Sequence, residues 1–219
     1  MHTLYYGIGA CSFVPHAALE AVKAATGEAF ETRLVKLHKG EQAAPEYLAI
    51  NPNGQVPTLM VDGEALTQVP AICDYLDRRY PQAGLMPADP VAHRRAMSLL
   101  AWMNNSVHPT FTHVFMPFKF TDNEAAQAEI KRYNLGLYRK HLERIQGLVE
   151  KASPWLFGDR LSVVDIYALV LFRWGGLGGI DPDTLPAYKA FVERVAAQAP
   201  VAAALAREGA PLNMYKKPA

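Results

Sequence analysis

Cysteine is scarce. The chain has two in 219 residues, Cys11 and Cys73, too few and too far apart for a disulfide framework or a thiolate metal site. A chain without cross-links suits a reducing compartment, so the expected location is cytoplasmic. A surplus of either charge is lacking too: 22 Lys and Arg against 21 Asp and Glu leave a formal net charge of +1. That balance argues against a nucleic-acid surface and against a basic membrane patch. No apolar run reaches the roughly 20 residues that cross a bilayer. The opening Met1-His2-Thr3-Leu4 has no charged segment leading into an apolar one, as a secretory signal would. Neither metal, nucleic acid nor membrane is expected as a partner. What is present is ordinary globular composition, half apolar and one fifth charged, in a chain long enough for one large core or two small ones.

The first eighty residues alternate between short strands and helices. Leu4 to Tyr6 predicts a strand, Pro15 to Ala25 a helix closed by Gly27, and Phe30 to Leu37 a second strand. Glu41 to Ala49 suits a short helix. A hairpin, Val56 to Val61 and Glu64 to Thr67 about the Asp62-Gly63 turn, leads to a helix from Pro70 to Tyr80. Pro81, Pro87 and Pro90 then punctuate a linker. Three units are expected: 1–81, a linker at 82–90, and a helical part at 91–219. In the last, Ala92 to Val114 predicts a long helix interrupted by Pro109, and Glu124 to Ala152 a second. Val163 to Phe172 is apolar nearly all round, as a central buried helix would be, behind a Ser162-x-x-Asp165 capping box. Trp174-Gly175-Gly176-Leu177-Gly178-Gly179 lacks a strand-turn-helix context and reads as a flexible connector with no nucleotide role.

The most telling run is Asn51-Pro52-Asn53-Gly54-Gln55-Val56-Pro57-Thr58-Leu59. Proline cannot donate to a sheet ladder, so Pro57 belongs at a strand mouth, where an X-Pro bond can also be cis. A turned-out Val56 would offer its N–H and C=O to an extended peptide. Alone, the run fits a surface loop and hairpin as well. Upstream, Cys11 lies in Gly9-Ala10-Cys11-Ser12, between the first strand and the first helix. A helix mouth favours a thiolate. An inert, half-buried cysteine is the alternative, and Cys73 suits packing inside its helix.

Taken in order, Leu4-Tyr5-Tyr6, Gly9-Ala10-Cys11-Ser12, Pro15-His16, the Asn-Pro-Asn-Gly-Gln-Val-Pro run and Leu66-Thr67-Gln68-Val69-Pro70-Ala71-Ile72 resemble bacterial glutathione S-transferases, most closely the cysteine-containing beta type. The resemblance spans the chain. It implies an α/β thioredoxin-like N-terminal domain, an all-α C-terminal domain and a homodimer. The implied activity is transfer of the glutathione thiolate to a small hydrophobic electrophile, with glutathione as substrate and no metal.

That resemblance carries roles to particular residues. Cys11 and Ser12 would face the thiol. Val56 and Pro57 would hold the cysteinyl part of the tripeptide through main-chain hydrogen bonds. Gln68 and Val69 stand where the family has an acidic residue, often followed by Ser or Gly, to take the γ-glutamyl end. A neutral Gln68 offers that ammonium a weaker bond than a carboxylate would. His108 matches a histidine facing the thiol, where an imidazole can donate or relay a proton, though a core or capping role is equally open. Asn105 would point the same way, and His38 and Lys39 would reach the glycyl carboxylate. Phe13, Phe111 and Phe115 would wall the electrophile pocket, with Met116 and Phe118 beside them. Two rivals stand beside a transferase: a glutathione-dependent reductase or lyase working through a Cys11 mixed disulfide, and a non-catalytic glutathione-binding protein.

Overall fold

The structure, a computed structural model, describes residues 1–217. Strand β1 (His2–Tyr6) buries Leu4 and Tyr6 and turns Thr3 and Tyr5 outward, the period-two pattern of a strand covered on one face. It pairs in parallel with β2 (Phe30–Leu34) and antiparallel with β3 (Thr58–Val61), which continues through the Asp62-Gly63 turn into β4 (Glu64–Thr67). The sheet order is β2-β1-β3-β4. The parallel pair needs a crossover, and α1 (Phe13–Thr26) supplies it. Gly27 ends α1 with φ 75°, donating to the Lys23 carbonyl. β2 is shorter than its apolar pattern predicts, because residues 37–39 wind into a 3₁₀ turn. β3 begins at Thr58 rather than Val56, so Val56 stays outside the ladder.

Helix α2 (Pro45–Leu48) precedes the Pro57 loop, and α3 (Val69–Arg79) follows β4. The helical half holds α4 (Pro90–Trp102), α5 (His108–Phe115), α6 (Glu124–Val149), α7 (Val163–Leu177), α8 (Pro186–Ala196) and α9 (Ala199–Glu208). Its centre is α7, buried at every position from Val163 to Gly176. Asp165 accepts from the Ser162 N–H at 2.7 Å and hydroxyl at 2.6 Å, and from the Leu156 N–H at 2.9 Å, so the capping residues are structural as expected. Burial pushes the Asp165 carboxyl above its ordinary value even so.

The Trp174 to Gly179 run is not a connector: α7 extends through Leu177. Gly175 and Gly176 serve close approach rather than flexibility. A Cβ on Gly176 would stand 2.8 Å from the main-chain nitrogen of Tyr215, so the C-terminal segment lies directly on the helix backbone. α1 packs against both α7 and α9 on one side and α3 on the other, joining the two halves into one continuous core.

Candidate active site

The loop between β1 and α1 is fixed from the other half of the molecule. Gly9 takes φ 72°, a left-handed backbone that favours glycine. Its N–H donates to Glu208 Oε2 of α9 at 3.2 Å, and its carbonyl accepts from Trp174 Nε1 of α7 at 2.9 Å. The second Glu208 oxygen meets His16 Nδ1 of α1 at 3.1 Å, with both side chains fully buried. The Ser12 hydroxyl accepts from the Gly7 N–H at 3.0 Å and donates to the Gly7 carbonyl at 3.2 Å. With that hydroxyl fully buried and committed, Ser12 cannot act as a side-chain donor in the cleft. It closes the loop instead.

Cys11 does line the cleft, and its thiol donates to the Val56 carbonyl at 3.6 Å. Burial works against the thiolate expected at this helix mouth. The N–H groups of Cys11 and Ser12 favour it, but burial outweighs them and pushes the thiol up to about 12. Cys73 is fully buried in the core.

Opposite Cys11 runs the Val56–Pro57 edge, whose peptide bond is cis. Asn51 shores it: the amide, 2% exposed, donates to the Gln55 carbonyl at 2.8 Å and to Thr58 Oγ1 at 3.0 Å. The Tyr47 hydroxyl donates to the same Gln55 carbonyl at 2.6 Å. At the far end Gln68 stands with φ 73° and ψ 125°, a costly backbone for a residue with a Cβ. This conformation caps α3 and directs its first turn, Val69 onward, at the cleft.

The third wall is helical. Between α4 and α5 the chain makes a π turn, Met103–Val107, in which the His108 N–H reaches back to the Met103 carbonyl. Pro109 could not have donated to the ladder, and the wider turn just before it absorbs the break. Asn104, His108 and Thr112 then fall on one stripe facing the cleft. His108 Nδ1 lies 2.9 Å from the Tyr167 hydroxyl, and its ring meets Trp174 edge-on at 4.7 Å between centroids. Burial lowers the imidazole to about 4, so His108 is neutral at physiological pH.

Together these elements enclose a cleft of about 290 Å³. It joins Cys11, Val56, Pro57, Gln68, Val69 and His108. His38 and Lys39 sit exposed on their turn and do not line it. Asn105 also points away, accepting from Asn104 Nδ2 at 2.9 Å; the π turn presents Asn104 instead. The aromatic wall is not the expected one. Phe13 and Phe111 are core residues at 0% and 5% exposure, Phe111 stacked on Trp174, while Phe115 is exposed outside the cleft. The ring that does line it is Phe120, stacked on His113 at 4.0 Å. Sequence reading named His108 and missed Asn104 and Thr112, although their i, i+4, i+8 spacing was the signal that could have found them. Nothing local announced Glu208 or Phe120.

Residues 1–78 match the family model described as glutathione S-transferase, N-terminal domain, and residues 107–199 the one described as glutathione S-transferase, C-terminal domain. Over 212 residues the chain is 33% identical to glutathione S-transferase GST-4.5 of Xanthomonas campestris pv. campestris, an alignment covering 94% of this chain and 98% of that one. This chain belongs to the glutathione S-transferase family. A glutathione transferase homologue from Sulfitobacter, solved with bound glutathione, matches this transferase fold with a TM-score of 0.86 at 27% identity, over 96% of this chain and 99% of its own. Maleylacetoacetate isomerase of Pseudomonas aeruginosa is 32% identical over 160 residues, 72% of this chain and 74% of the isomerase. Among the described residues, no group of His, Cys, Asp and Glu is placed to hold a metal ion, and no helix is long and apolar enough to cross a membrane. The cleft lining also holds no Lys, Arg, Asp or Glu among the described residues.

Proposed function

We propose that this protein is a glutathione transferase that conjugates the glutathione thiolate to small apolar electrophiles. One observation carries this reading: a main-chain edge left open at Val56, outside the β3 ladder, faces a neutral His108 across an uncharged cleft. The tripeptide would lie antiparallel along Val56, its γ-glutamyl end at Gln68 and the first turn of α3. His108 would take the thiol proton. The sulfur anion would then rest near the Cys11 thiol and the N–H groups of Cys11 and Ser12, with Phe120 and His113 receiving an apolar partner. In that arrangement 1–81 binds glutathione, 82–90 links, and 91–219 supplies the electrophile side. The protein would act as a cytoplasmic homodimer.

A reductase working through a Cys11 thiolate is less well supported, since burial holds that thiol protonated at neutral pH. A glutathione-dependent isomerase has the likeness to the maleylacetoacetate isomerase in its favour. A maleyl carboxylate would however enter a cleft lined by no Lys or Arg. Calorimetry with glutathione, followed by a panel of haloarenes and a maleyl keto acid, tests the choice. Uptake of glutathione and turnover of haloarenes are expected. No uptake at millimolar glutathione, or turnover of the keto acid alone, would overturn the proposal.

A further inference from the structure

Tyr167 lies on α7, fully buried, with its hydroxyl 2.9 Å from His108 Nδ1 and 3.2 Å from Asn104 Oδ1. Asn104 turns its carbonyl oxygen to the phenol, an atom that can only accept, while its amide nitrogen donates to Asn105 Oδ1 at 2.9 Å. A phenol has one proton. Given to Asn104, that proton leaves an oxygen lone pair facing His108, and Nδ1 must then carry the hydrogen between them. Edge-on contacts with Trp174 and Tyr167 hold the imidazole in place.

We propose that Tyr167 is a positioning residue for thiol activation: by accepting from the Nδ1–H of His108 it fixes the tautomer whose Nε2 lone pair is free to take the glutathione proton. The inference rests on the transferase function proposed above. In the step, the S–H bond breaks and its electron pair stays on sulfur, while Nε2–H forms. The resulting imidazolium is stabilised through its Nδ1–H by the Tyr167 oxygen, and it releases the proton to water after the sulfur has bonded to the electrophile and a halide, for example, has left. The π turn contributes directly, since it places Asn104 and His108 on the same stripe beneath Tyr167.

The test reads the tautomer in the protein without glutathione, by long-range proton–nitrogen correlation on histidine-labelled protein at neutral pH. His108 is expected protonated at Nδ1 and bare at Nε2; a wild-type His108 protonated at Nε2 overturns the proposal. Tyr167→Phe removes the acceptor, and Asn104→Ala, a change outside the core, lets the phenol turn its proton to Nδ1. Each is expected to move His108 to the Nε2–H form, and an unchanged tautomer in both overturns the proposal. With glutathione bound, kcat/KM of Tyr167→Phe at neutral pH should be lowered about 10-fold, with KM for glutathione moved less, because a base held at about 4 takes the proton as the sulfur attacks rather than ionising the thiol beforehand. A merely structural role would lower stability and leave the tautomer in place. An Nδ1–H tautomer in a protein that takes up no glutathione would sink the assigned step, and the transferase proposal with it, while leaving the hydrogen-bond direction standing.

Discussion

The two sides of the cleft work with different parts of the chain. On the sheet side, main-chain groups are on offer: the Val56 edge, the first turn of α3, and the loop closed by Ser12 on Gly7. On the helical side, side chains line the space: Asn104, His108, Thr112, His113 and Phe120. Side chains on the sheet wall can change as long as the backbone keeps its course. On the helical wall, under the proposed function, the side chain would itself be the reagent. The first wall is fixed by a few residues with unusual backbone demands, Pro57 and Gly9 among them. The second is fixed by helix phase, which a one-residue π turn resets.

The contrast is sharpest at His108. His108→Gln keeps a polar group on the stripe and removes the base, and kcat/KM should fall on the order of 10²- to 10³-fold. Folding, followed by urea denaturation, should change little by comparison. A loss below 10-fold would mean that the sheet wall activates the thiol unaided. Next in size is the link between the walls. Glu208→Ala orphans the Gly9 N–H and the buried His16 Nδ1, which should cost about 3 kcal/mol of stability. The same change frees the Cys11 loop, so the KM for glutathione should rise with it.

Acid should also weaken the helical wall. His108 is held at about 4 in the folded chain, against its ordinary 6.5. Between these values the unfolded chain takes up a proton that the folded one refuses. Stability is therefore complete above pH 6.5 and is lost as pH falls toward 4, by about 2 kcal/mol after allowance for partial solvent screening. Thermal denaturation across that window, compared with His108→Gln, isolates the contribution: the variant should show a shallower acid decline. An identical slope would place the pH dependence elsewhere.

How legible each wall was follows the same division. The Asn-Pro-Asn-Gly-Gln-Val-Pro run announced a main-chain site because proline and glycine state their backbone demands in their own chemistry. Helix α7 was legible as far as Phe172 from its apolar run, its cap from Ser162-x-x-Asp165, and the succession of strands and helices up to Thr67 from patterning and turn residues. The aromatic wall was not. Phe13, Phe111 and Phe115 share an apolar character with Phe120, and only packing decides that Phe111 stacks on Trp174 while Phe120 faces the cleft. Cys11 divides in a related way: its position at a helix mouth was visible, but the burial that raises its thiol was not. The Trp174-Gly175-Gly176 stretch looked flexible because a close contact with Tyr215, far along the chain, cannot be read locally.

Two smaller effects probe the sheet wall. Gln68→Glu restores a carboxylate where the tripeptide ammonium is expected, exchanging a neutral hydrogen bond for a charge-assisted one. A gain of about 1 kcal/mol, or about fivefold in glutathione affinity, should follow by calorimetry. The backbone at φ 73° is as unfavourable for Glu as for Gln, so folding should not change. Unchanged affinity would mean that the γ-glutamyl end is read by the N–H groups of α3 alone.

The smallest expected effect is the most telling for mechanism. Cys11 is a buried thiol donating to the Val56 carbonyl. Were a peptide N–H to arrive at that carbonyl, the thiol would be released to donate to the glutathione sulfur. An S–H donor is weak, so Cys11→Ala should lower kcat/KM by about threefold at most, while Cys11→Ser, a stronger donor of similar shape, should restore it. A mixed-disulfide reductase requires the opposite: turnover abolished in both variants, and a reducible glutathione adduct on the wild-type Cys11. With the thiol held near pH 12 by burial rather than drawn down by the helix mouth, an attacking thiolate is scarce at neutral pH, so the first pattern is the one the cleft supports.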